Sequence, residues 1–457
     1  MESHVTQPSL SEMSDWLREN RIDEVECLVA DISGIARGKI VPTQRFIGGL
    51  SDRGLRIPEA IFLQTVTGDF VASVSGVVWE SNRDIFMQPD PSSIRMVPWY
   101  PEPVAQVICD VSFLDGKPVP FAPRAVLRNV LEQYAKRNLK PVVAPELEFY
   151  LIKKNLDPDY PLEPAAGLSG RQETGRQAYG IEAANEFDPV IEDIYDYCEG
   201  SGIDVETMAH EAGAAQMEIN FNHGDPMDLA DQVFLFKRTV RQAALKHDMY
   251  ATFMARPHQY QPGSSMHIHQ SVLDTRTGKN IFATDKGKHS KKLHHYIGGL
   301  QKYVNAAMPL FAPNVNSYRR ITPYSDAPIN THWGIDNRTV GLRVPDSAPN
   351  AFRVENRVAG ADANPYLAFA GSLACGLLGL KDKLEPTKPI DGDAYRLAFN
   401  LPRHLEDSLS KLNYARPLKL MLGEQFVKLL AEVKTYESDL YQRVISSWER
   451  ENLLLNV

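Results

Sequence analysis

The chain has 457 residues, of which 43% are hydrophobic, and it carries a net charge of -9. This length allows one large core or two unequal cores, and the acidic balance, with no basic run longer than a pair, argues against a nucleic-acid-binding surface. The 4 cysteines are far apart and lack CxxC spacing, which argues against a disulfide framework and a zinc knuckle and predicts a reducing compartment.

Targeting and membrane features are not recognisable in the sequence. The first 13 residues contain no apolar segment of the kind found in signal peptides. The longest apolar run, 366–380, is too short and too rich in Gly and Ala for a membrane span. We therefore expect a cytoplasmic protein that does not associate with membranes.

The predicted elements begin with a capped helix over 10–20 and with two strands in 25–42 that turn at Ser33-Gly34. They open a small β-rich domain, 15–118, which ends at the proline-rich segment 118–123. The second domain, 119–457, begins with a helix from Arg124 to Asn138. Helical spacing recurs at 187–202, 228–248, 289–310 and 364–383 and near the C-terminus, whereas the Pro/Gly-rich segment 155–173 predicts a loop. Neither GxGxxG nor GxxxxGK[ST] occurs, which argues against Rossmann and P-loop nucleotide sites.

Three short stretches of the second domain place acidic and imidazole groups on alternate residues. In a strand, residues i and i+2 point to the same face, so each stretch presents its ionisable groups together. One such stretch alone is more often a solvated sheet face, but three together, flanked by apolar residues, favour a buried site. The groups are Glu146 and Glu148, His267 and His269, and Glu355 between Arg353 and Arg357.

A fourth stretch, HEAGAAQMEIN, adds Glu211 and Glu218, seven residues apart. This odd spacing would put them on opposite faces of a regular strand, so we expect a tight turn or bulge that brings both into one cavity. Buried carboxylates need compensating cations. Oxygen-rich ligation without sulfur favours Mg²⁺ or Mn²⁺ over zinc, and two such ions beside arginines suit phosphoryl transfer from a nucleotide.

Over nearly its whole length, the sequence resembles the type I-like members of the glutamine synthetase superfamily. The resemblance rests on motifs in the family's order: DISGIARGK, PEPVAQVICD, APELEF, HEAGAAQMEIN, PGSSMHIHQS, FAPNVNSYRR, DNRTVGLRVP, FRVENR and DANPY. It implies an α+β fold, with an N-terminal β-grasp domain and a catalytic domain whose curved antiparallel sheet is flanked by helices. It also implies a ring-shaped homo-oligomer, a dodecamer, with active sites between subunits.

The resemblance further implies roles for individual residues, with ATP as a substrate and two divalent ions, Mg²⁺ or Mn²⁺, in each site. One ion would be held by Glu148, Glu211 and Glu218, and the other by Glu146, His267 and Glu355. The ATP-binding residues would be Glu206, His269, Ser271, Arg343 and Arg353. Substrate glutamate would be bound by Gly263, Arg320 and Arg357, with Arg338 and Arg343 near the transferred phosphoryl group.

Other residues depart from the pattern of true glutamine synthetases. The stretch 67–73 lacks their Asp-Gly-Ser-Ser element, and Asp326 stands before Ala-Pro where they carry a longer Glu. Trp333, in THWGIDNRT, is similar to the branch that makes γ-glutamylpolyamines and γ-glutamylamides, and it is either part of an amine pocket or a core residue. These departures indicate a nucleophile larger than ammonium.

The hypothesis from sequence is therefore an ATP-dependent glutamate-amine ligase. It would form a γ-glutamylamide through γ-glutamyl phosphate, with a polyamine or monoamine as nucleophile and Asp326 as the base that deprotonates it. Two alternatives stay open: a glutamine synthetase that uses ammonium, and a ring-forming scaffold without catalysis. Retention of all six metal-ligand positions and of the arginines argues against the scaffold.

Overall fold

The computed structural model describes residues 8–51, 54–72, 74, 76–78, 81–174 and 177–457. Residues 1–7, in the N-terminal stretch without an apolar segment, lie outside the described residues. So does Ser73, the last residue of the stretch 67–73 that lacks the Asp-Gly-Ser-Ser element. Among the helices of the described part, none is long and apolar enough to cross a membrane.

Two mixed groups of strands and helices make up the described chain. The strands are β1 (Glu24–Ala30), β2 (Ala36–Pro42), β3 (Arg56–Pro58), β4 (Asp84–Pro89), β5 (Arg95–Met96), β6 (Val104–Ser112), β7 (Leu139–Lys153), β8 (Val205–His210), β9 (Gln216–Phe221), β10 (Met249–Thr252), β11 (Met266–Asp274), β12 (Trp333–Ile335), β13 (Leu342–Val344) and β14 (Val354–Asn356). The helices are α1 (Leu10–Glu19), α2 (Thr43–Ser51), α3 (Pro123–Ala135), α4 (Ile181–Asn185), α5 (Asp188–Gly200), α6 (Pro226–Lys246), α7 (Lys291–Phe311), α8 (Ser317–Arg320), α9 (Pro365–Asp382), α10 (Leu405–Tyr414), α11 (Arg416–Leu422), α12 (Glu424–Gln442) and α13 (Ser447–Leu453).

The N-terminal sheet has the strand order β2-β1-β6-β4-β3, with β5 paired to β6. Strand β1 runs antiparallel to β2 and parallel to β6. The predicted turn at Ser33-Gly34 is present because the Asp31 carboxylate accepts hydrogen bonds from the backbone N–H groups of Ser33 and Ile35, while Gly34 has φ +78°. The predicted helix at 10–20 corresponds to α1, which begins with a capping box at Ser9.

The second sheet has the order β12-β13-β14-β11-β7-β9-β8, and β10 pairs with β7. Its pairs are antiparallel, as predicted, except β12 and β13, which are parallel. The parallel pairing is possible because each strand has only three residues. At about 3.3–3.6 Å per residue, the connection 336–341 is long enough to bring the chain back from the end of β12 to the level of its start, where β13 begins. The predicted antiparallel arrangement is therefore wrong at this edge.

Helix α9 explains the longest apolar run of the sequence. Its residues from Pro365 to Gly379 are buried, so the run forms a core helix. It crosses α7 at a very short distance, because Gly379 lies where an added Cβ would come within 2.2 Å of the His295 carbonyl oxygen and 2.6 Å of the Gly299 Cα. The crossing therefore requires glycine on both helices.

Gly379→Ala should lower the free energy of unfolding by about 1–3 kcal/mol or more, because the methyl group meets backbone that cannot rotate away. Gly48→Ala, in α2, is the matched control. No heavy atom lies within 4 Å of its added Cβ, so replacing this helical glycine should raise stability by about 0.5–1 kcal/mol. Urea denaturation of both variants measures the effects, and equal destabilisation would contradict the proposed close crossing.

Candidate active site

The alternating acidic and imidazole residues meet on one face of the second sheet. Strand β7 lies between β11 and β9, and β14 pairs with β11 on its other side. Because partners in register point to the same face, the predicted groups converge from four strands. The register places Glu146 opposite His267 and Asn220, Glu148 opposite Glu218, and Glu355 opposite His269 and Arg343.

The turn predicted between Glu211 and Glu218 is also present. Strands β8 and β9 form a hairpin in which the Glu211 N–H donates to the Gln216 carbonyl oxygen at 2.8 Å. Ala215, inside the turn, has φ +55°. Reversal of the chain brings Glu211 close enough to Glu148 and Glu218 for its charge to raise the pKa of both. The odd spacing therefore reflects a turn rather than a bulge.

The ligand atoms of these residues are spaced as a metal site requires. One group consists of Glu146, His267 and Glu355, and another of Glu148, Glu218 and His267, with the atoms of each group within 4.8 Å of one another. His267 Nε2 is buried and has no hydrogen-bond partner among the described residues. Carboxylate oxygens with an unpartnered imidazole nitrogen fit a divalent cation. Glu211 belongs to neither group.

Charge is unevenly balanced across this face. Burial raises the pKa of Glu148 and of Glu218, and repulsion from neighbouring carboxylates raises both further. Burial opposes ionisation of Glu355 as well, but Arg357 and the imidazoles lower its pKa to about 2. Burial lowers the pKa of His267 to about 4, with Arg357 adding to the shift. Glu148 and Glu218 are therefore held against ionisation, and a bound cation would allow both carboxyls to ionise.

A cavity of about 350 Å³ borders this face at the β7, β9 and β11 strands. Four of the five predicted ATP-binding residues line it: Glu206, His269, Ser271 and Arg353. The Arg353 Nε donates to His269 Nδ1 at 3.1 Å, and His269 Nε2 lies 2.7 Å from a Glu146 oxygen. Glu146 thus belongs both to the metal-ligand group and to the cavity wall.

Arg343, the fifth residue of that prediction, does not line the cavity. Its guanidinium contacts Glu355 at 2.9 Å and Asp336 at 2.5 Å, so it links two carboxylates beside the cluster. The register explains this position, because Arg343 pairs with Glu355, whereas the cavity opens beyond His269. The predicted role of Arg343 near the transferred phosphoryl group of ATP stays a prediction.

The residues predicted to bind glutamate also lie together. Gly263 is in contact with Arg320, since an added Cβ would come within 2.6 Å of the Arg320 Cγ. Arg320 is buried and donates to Ser265 Oγ and to the carbonyl oxygens of Arg357 and Val358. Arg357 donates to Glu355 at 2.5 Å. The Nε of each arginine is buried without a partner among the described residues.

Asp326 and Arg338 are both exposed near the acidic cluster. Asp326, with φ +60°, lies close enough to Glu211 for its charge to raise the pKa of that carboxyl, after the larger effect of burial. Burial and the charge of Glu211 raise the pKa of the Tyr179 phenol, and the charge of Arg338 opposes this rise. The chain therefore places Asp326, Glu211, Tyr179 and Arg338 at one end of the site.

Comparison with known proteins agrees with this geometry. The family model "Glutamine synthetase, catalytic domain" matches residues 120–453. The chain belongs to the glutamine synthetase family. Among curated members, it is 32% identical to the glutamate–isopropylamine ligase of a Pseudomonas species, over 98% of each chain. It is 35% identical to the γ-glutamylputrescine synthetase PuuA of Escherichia coli strain K12, over 94% of this chain and 92% of that relative.

A solved structure is also similar to this chain. It is described as GmaS in its apo form without ligand and superposes with a TM-score of 0.82 at 28% sequence identity. The alignment covers 96% of this chain and 99% of the GmaS chain. The fold is thus shared with the GmaS structure over almost the full length of both chains.

Trp333 does not lie on the acidic face of this family member. It pairs in register with Leu342, and Arg343, the next residue of β13, is on the opposite face with Glu355. Its indole N–H donates to the Thr387 carbonyl oxygen at 2.7 Å, and its ring packs 5.9 Å from that of His294 in α7. This packing favours the alternative of a core residue over the amine-pocket prediction.

Trp333→Phe should lower stability by about 1–3 kcal/mol, because it removes the hydrogen bond to Thr387 and leaves part of a buried volume empty. The relative turnover of different amines should stay unchanged, since the ring does not reach the acidic face. Thermal denaturation and an amine panel test the two parts. A shift in amine preference of more than about tenfold, or about 1.4 kcal/mol, would contradict the packing role.

Sequence reasoning missed several polar residues that support the site of this glutamine synthetase family member. Gln216 is buried and donates to Glu148 at 3.2 Å and to the Gly263 carbonyl oxygen at 3.0 Å, which joins the cluster to the glutamate side. Asn220 contributes a buried acceptor without a described partner to the cavity wall. Gln216 and Asn220 lie within the HEAGAAQMEIN motif. Side-chain amides, and phenols such as that of Tyr179, are too common in proteins for the sequence alone to mark these residues as part of a site.

Proposed function

We propose that the protein is an ATP-dependent glutamate-amine ligase that forms a γ-glutamylamide from glutamate and an organic amine. The proposal rests above all on one observation: the carboxylate–imidazole cluster adjoins both a nucleotide-sized cavity and a pair of buried arginines. Two relatives at 32% and 35% identity are named for isopropylamine and putrescine, both organic amines.

In this proposal Glu146, His267 and Glu355 hold one divalent cation, Mg²⁺ or Mn²⁺, and Glu148 and Glu218 hold a second. Glu211 lies near the second group, and small movements of its side chain would bring it into contact. Such cations supply charge neutralisation on the phosphates of ATP. The raised pKa values of Glu148 and Glu218 support this role, because a bound cation would allow both carboxyls to ionise.

The proposed reaction has two steps. A γ-carboxylate oxygen of glutamate attacks the γ-phosphorus of ATP, the bond to the ADP oxygen breaks, and γ-glutamyl phosphate forms. Arg357 orients the glutamate carboxylate, and Arg338 stabilises the charge of the phosphoryl group. The amine nitrogen then attacks the γ-carbon and phosphate leaves with its bridging oxygen. Asp326 accepts the proton that the nitrogen loses.

Ammonium as nucleophile, which would make the protein a glutamine synthetase, is the second candidate. This candidate is favoured by the acidic character of the end of the site where the nucleophile would bind, at which Asp326 and Glu211 lie close together. An organic amine is preferred because Asp326 is shorter than the Glu of glutamine synthetases and is exposed, which leaves room beyond the nitrogen.

Three further inferences accompany this function. The domains span 15–118 and 119–457, and the first is of the β-grasp type, supported by the β1–β2 hairpin and its parallel pairing with β6. The protein assembles as a ring-shaped homo-oligomer, a dodecamer with active sites between subunits, as its family suggests. It acts in the cytoplasm, consistent with 4 buried free cysteines.

The function is tested by measuring phosphate release from ATP in the presence of Mg²⁺ and glutamate. Isopropylamine, putrescine, methylamine and aromatic amines are compared with ammonium, and the products are identified by mass spectrometry. We expect turnover with at least one organic amine to exceed that with ammonium by tenfold or more, about 1.4 kcal/mol. Turnover with ammonium alone would establish the second candidate, and no turnover with any nucleophile would favour a non-catalytic scaffold.

A further inference from the structure

A second cavity, of about 530 Å³, lies between the β1–β2 turn, α6 and β10. It shares no lining residue with the nucleotide cavity. Phe253 in its wall packs against Phe149, whose side chain points away from that of Glu148, the preceding residue in β7. The second cavity is therefore on the helix-covered side of the sheet, outside the proposed active site.

Cations of α6 line this cavity, and they differ in how far they are compensated. Arg238 is neutralised, since it contacts Glu26 and Gln106, each at 2.6 Å. Lys237 is buried and donates to the carbonyl oxygens of Ala361 and Ala363 at 2.7 and 2.8 Å. These carbonyls use two of its three protons and carry no charge.

Arg241 is the cation that lacks a polar partner. Its guanidinium lies 5.1 Å from the Phe253 ring centre, and no hydrogen bond or ion pair joins it to any described residue. Burial and, to a smaller extent, repulsion by Arg241 lower the pKa of Lys237 to about 7. Asp362 is the acidic residue of the lining, and one of its oxygens accepts hydrogen bonds from Asn314 and Ser317.

The remaining lining is mostly apolar, with Ser33 and Thr252 as its uncharged polar residues. Ile35, Phe234, Ala251, Phe253 and Met254 surround the cations. With two uncompensated cations and one carboxylate, the cavity has a surplus of about one positive charge, which suits a monoanion better than a dianionic phosphate. The volume falls within the range of about 300–1,000 Å³ typical of small-molecule sites and greatly exceeds that of an inorganic ion.

We propose that this cavity is a second ligand site, which binds a small organic carboxylate with an apolar body. The carboxylate contacts the guanidinium of Arg241, whose planar donors suit bidentate binding, and the free proton of Lys237. The apolar part lies against Phe234, Phe253 and Met254. This site does not depend on the proposed ligase activity, because none of its residues belongs to the acidic face.

Isothermal titration calorimetry of the full chain tests the site with 3-phenylpropionate and hexanoate as probes. Saturating glutamate is present, so that carboxylate binding by the active-site arginines is already satisfied. The neutral 3-phenylpropanamide, of nearly the same shape, and inorganic phosphate are compared directly. We expect saturable binding of one carboxylate per chain and no binding of the amide.

The decisive variant is Arg241→Gln, whose exposed side chain holds no structural contact other than the Phe253 ring. It should weaken carboxylate binding at least about tenfold. The matched control is Lys246→Gln, which removes a charge from the same helix where the lysine pairs with Asp193 outside the cavity, and it should leave binding unchanged. The proposal is overturned if neither carboxylate binds, if Arg241→Gln binds them normally, or if the amide or phosphate binds equally well.

Discussion

Replacing Glu355 by glutamine should lower the free energy of unfolding of the metal-free protein by about 3 kcal/mol, because Arg343 and Arg357 would lose the buried charge between them. Turnover should fall at least about 100-fold, since the same carboxylate belongs to a metal-ligand group. Urea denaturation in the presence of EDTA measures the first effect, and phosphate release measures the second.

Glu218→Gln provides the matched comparison and should have the opposite effect on stability. The pKa of Glu218 is raised by burial and by Glu148, so the folded protein holds a proton that the unfolded chain releases above about pH 4.5. That difference destabilises the folded state increasingly as the pH rises toward the folded pKa. The variant should therefore gain about 1–3 kcal/mol at pH 8 and almost nothing at pH 5.

Mn²⁺ binding separates the two roles of Glu218. Although Glu218→Gln should be more stable without metal, it should bind Mn²⁺ more weakly than the unaltered protein by about 10-fold or more. Loss of stability at pH 8 in both variants would mean that burial and the neighbouring carboxylates do not raise the pKa of Glu218.

Asp326→Asn should reduce amide formation about 100-fold or more, because the attacking nitrogen would lose the group that accepts its proton. Formation of γ-glutamyl phosphate should continue, since Asp326 lies beside Glu211 at the amine end rather than in the nucleotide cavity. Without an amine, the intermediate cyclises to 5-oxoproline, so the release of ADP with 5-oxoproline reports the first step alone.

A charge-matched control for this variant is Asp285→Asn, whose carboxylate is exposed and lies near Lys279. It should leave both steps unchanged. If Asp326→Asn forms the amide at the normal rate, another group accepts the proton, and Glu211 is then the nearest candidate.

The sequence predicted those parts of the site that depend on strand alternation. Glu146, Glu148 and His267 could be placed on one face because the residues lie in regular strands, where the period of two is strict. A turn or bulge between Glu211 and Glu218 was predicted because a regular strand would place them on opposite faces, and the structure has the turn. Helices α6, α7 and α9 were predicted within a few residues, because their apolar positions are periodic or continuous.

The sequence is least informative where the position of a side chain depends on contacts with residues distant along the chain. Trp333 lies in a three-residue strand that pairs in parallel with β13, whereas an antiparallel sheet was expected. The face to which its side chain points could therefore not be inferred from the local sequence. Arg343 is held by Asp336 and Glu355, and its motif does not distinguish ion pairing from phosphate binding. Gln216 and Tyr179 were missed because amides and phenols are common in buried networks and loops alike.

The central claim is that an acyl phosphate of glutamate is attacked by an organic amine, and oxygen transfer tests it most directly. Glutamate labelled with ¹⁸O in both γ-carboxylate oxygens is incubated with ATP, Mg²⁺ and the amine that gives the highest turnover. The account predicts one ¹⁸O atom in each released phosphate and one retained in the γ-glutamylamide. Unlabelled phosphate, or labelled phosphate accompanied only by glutamine, would contradict it.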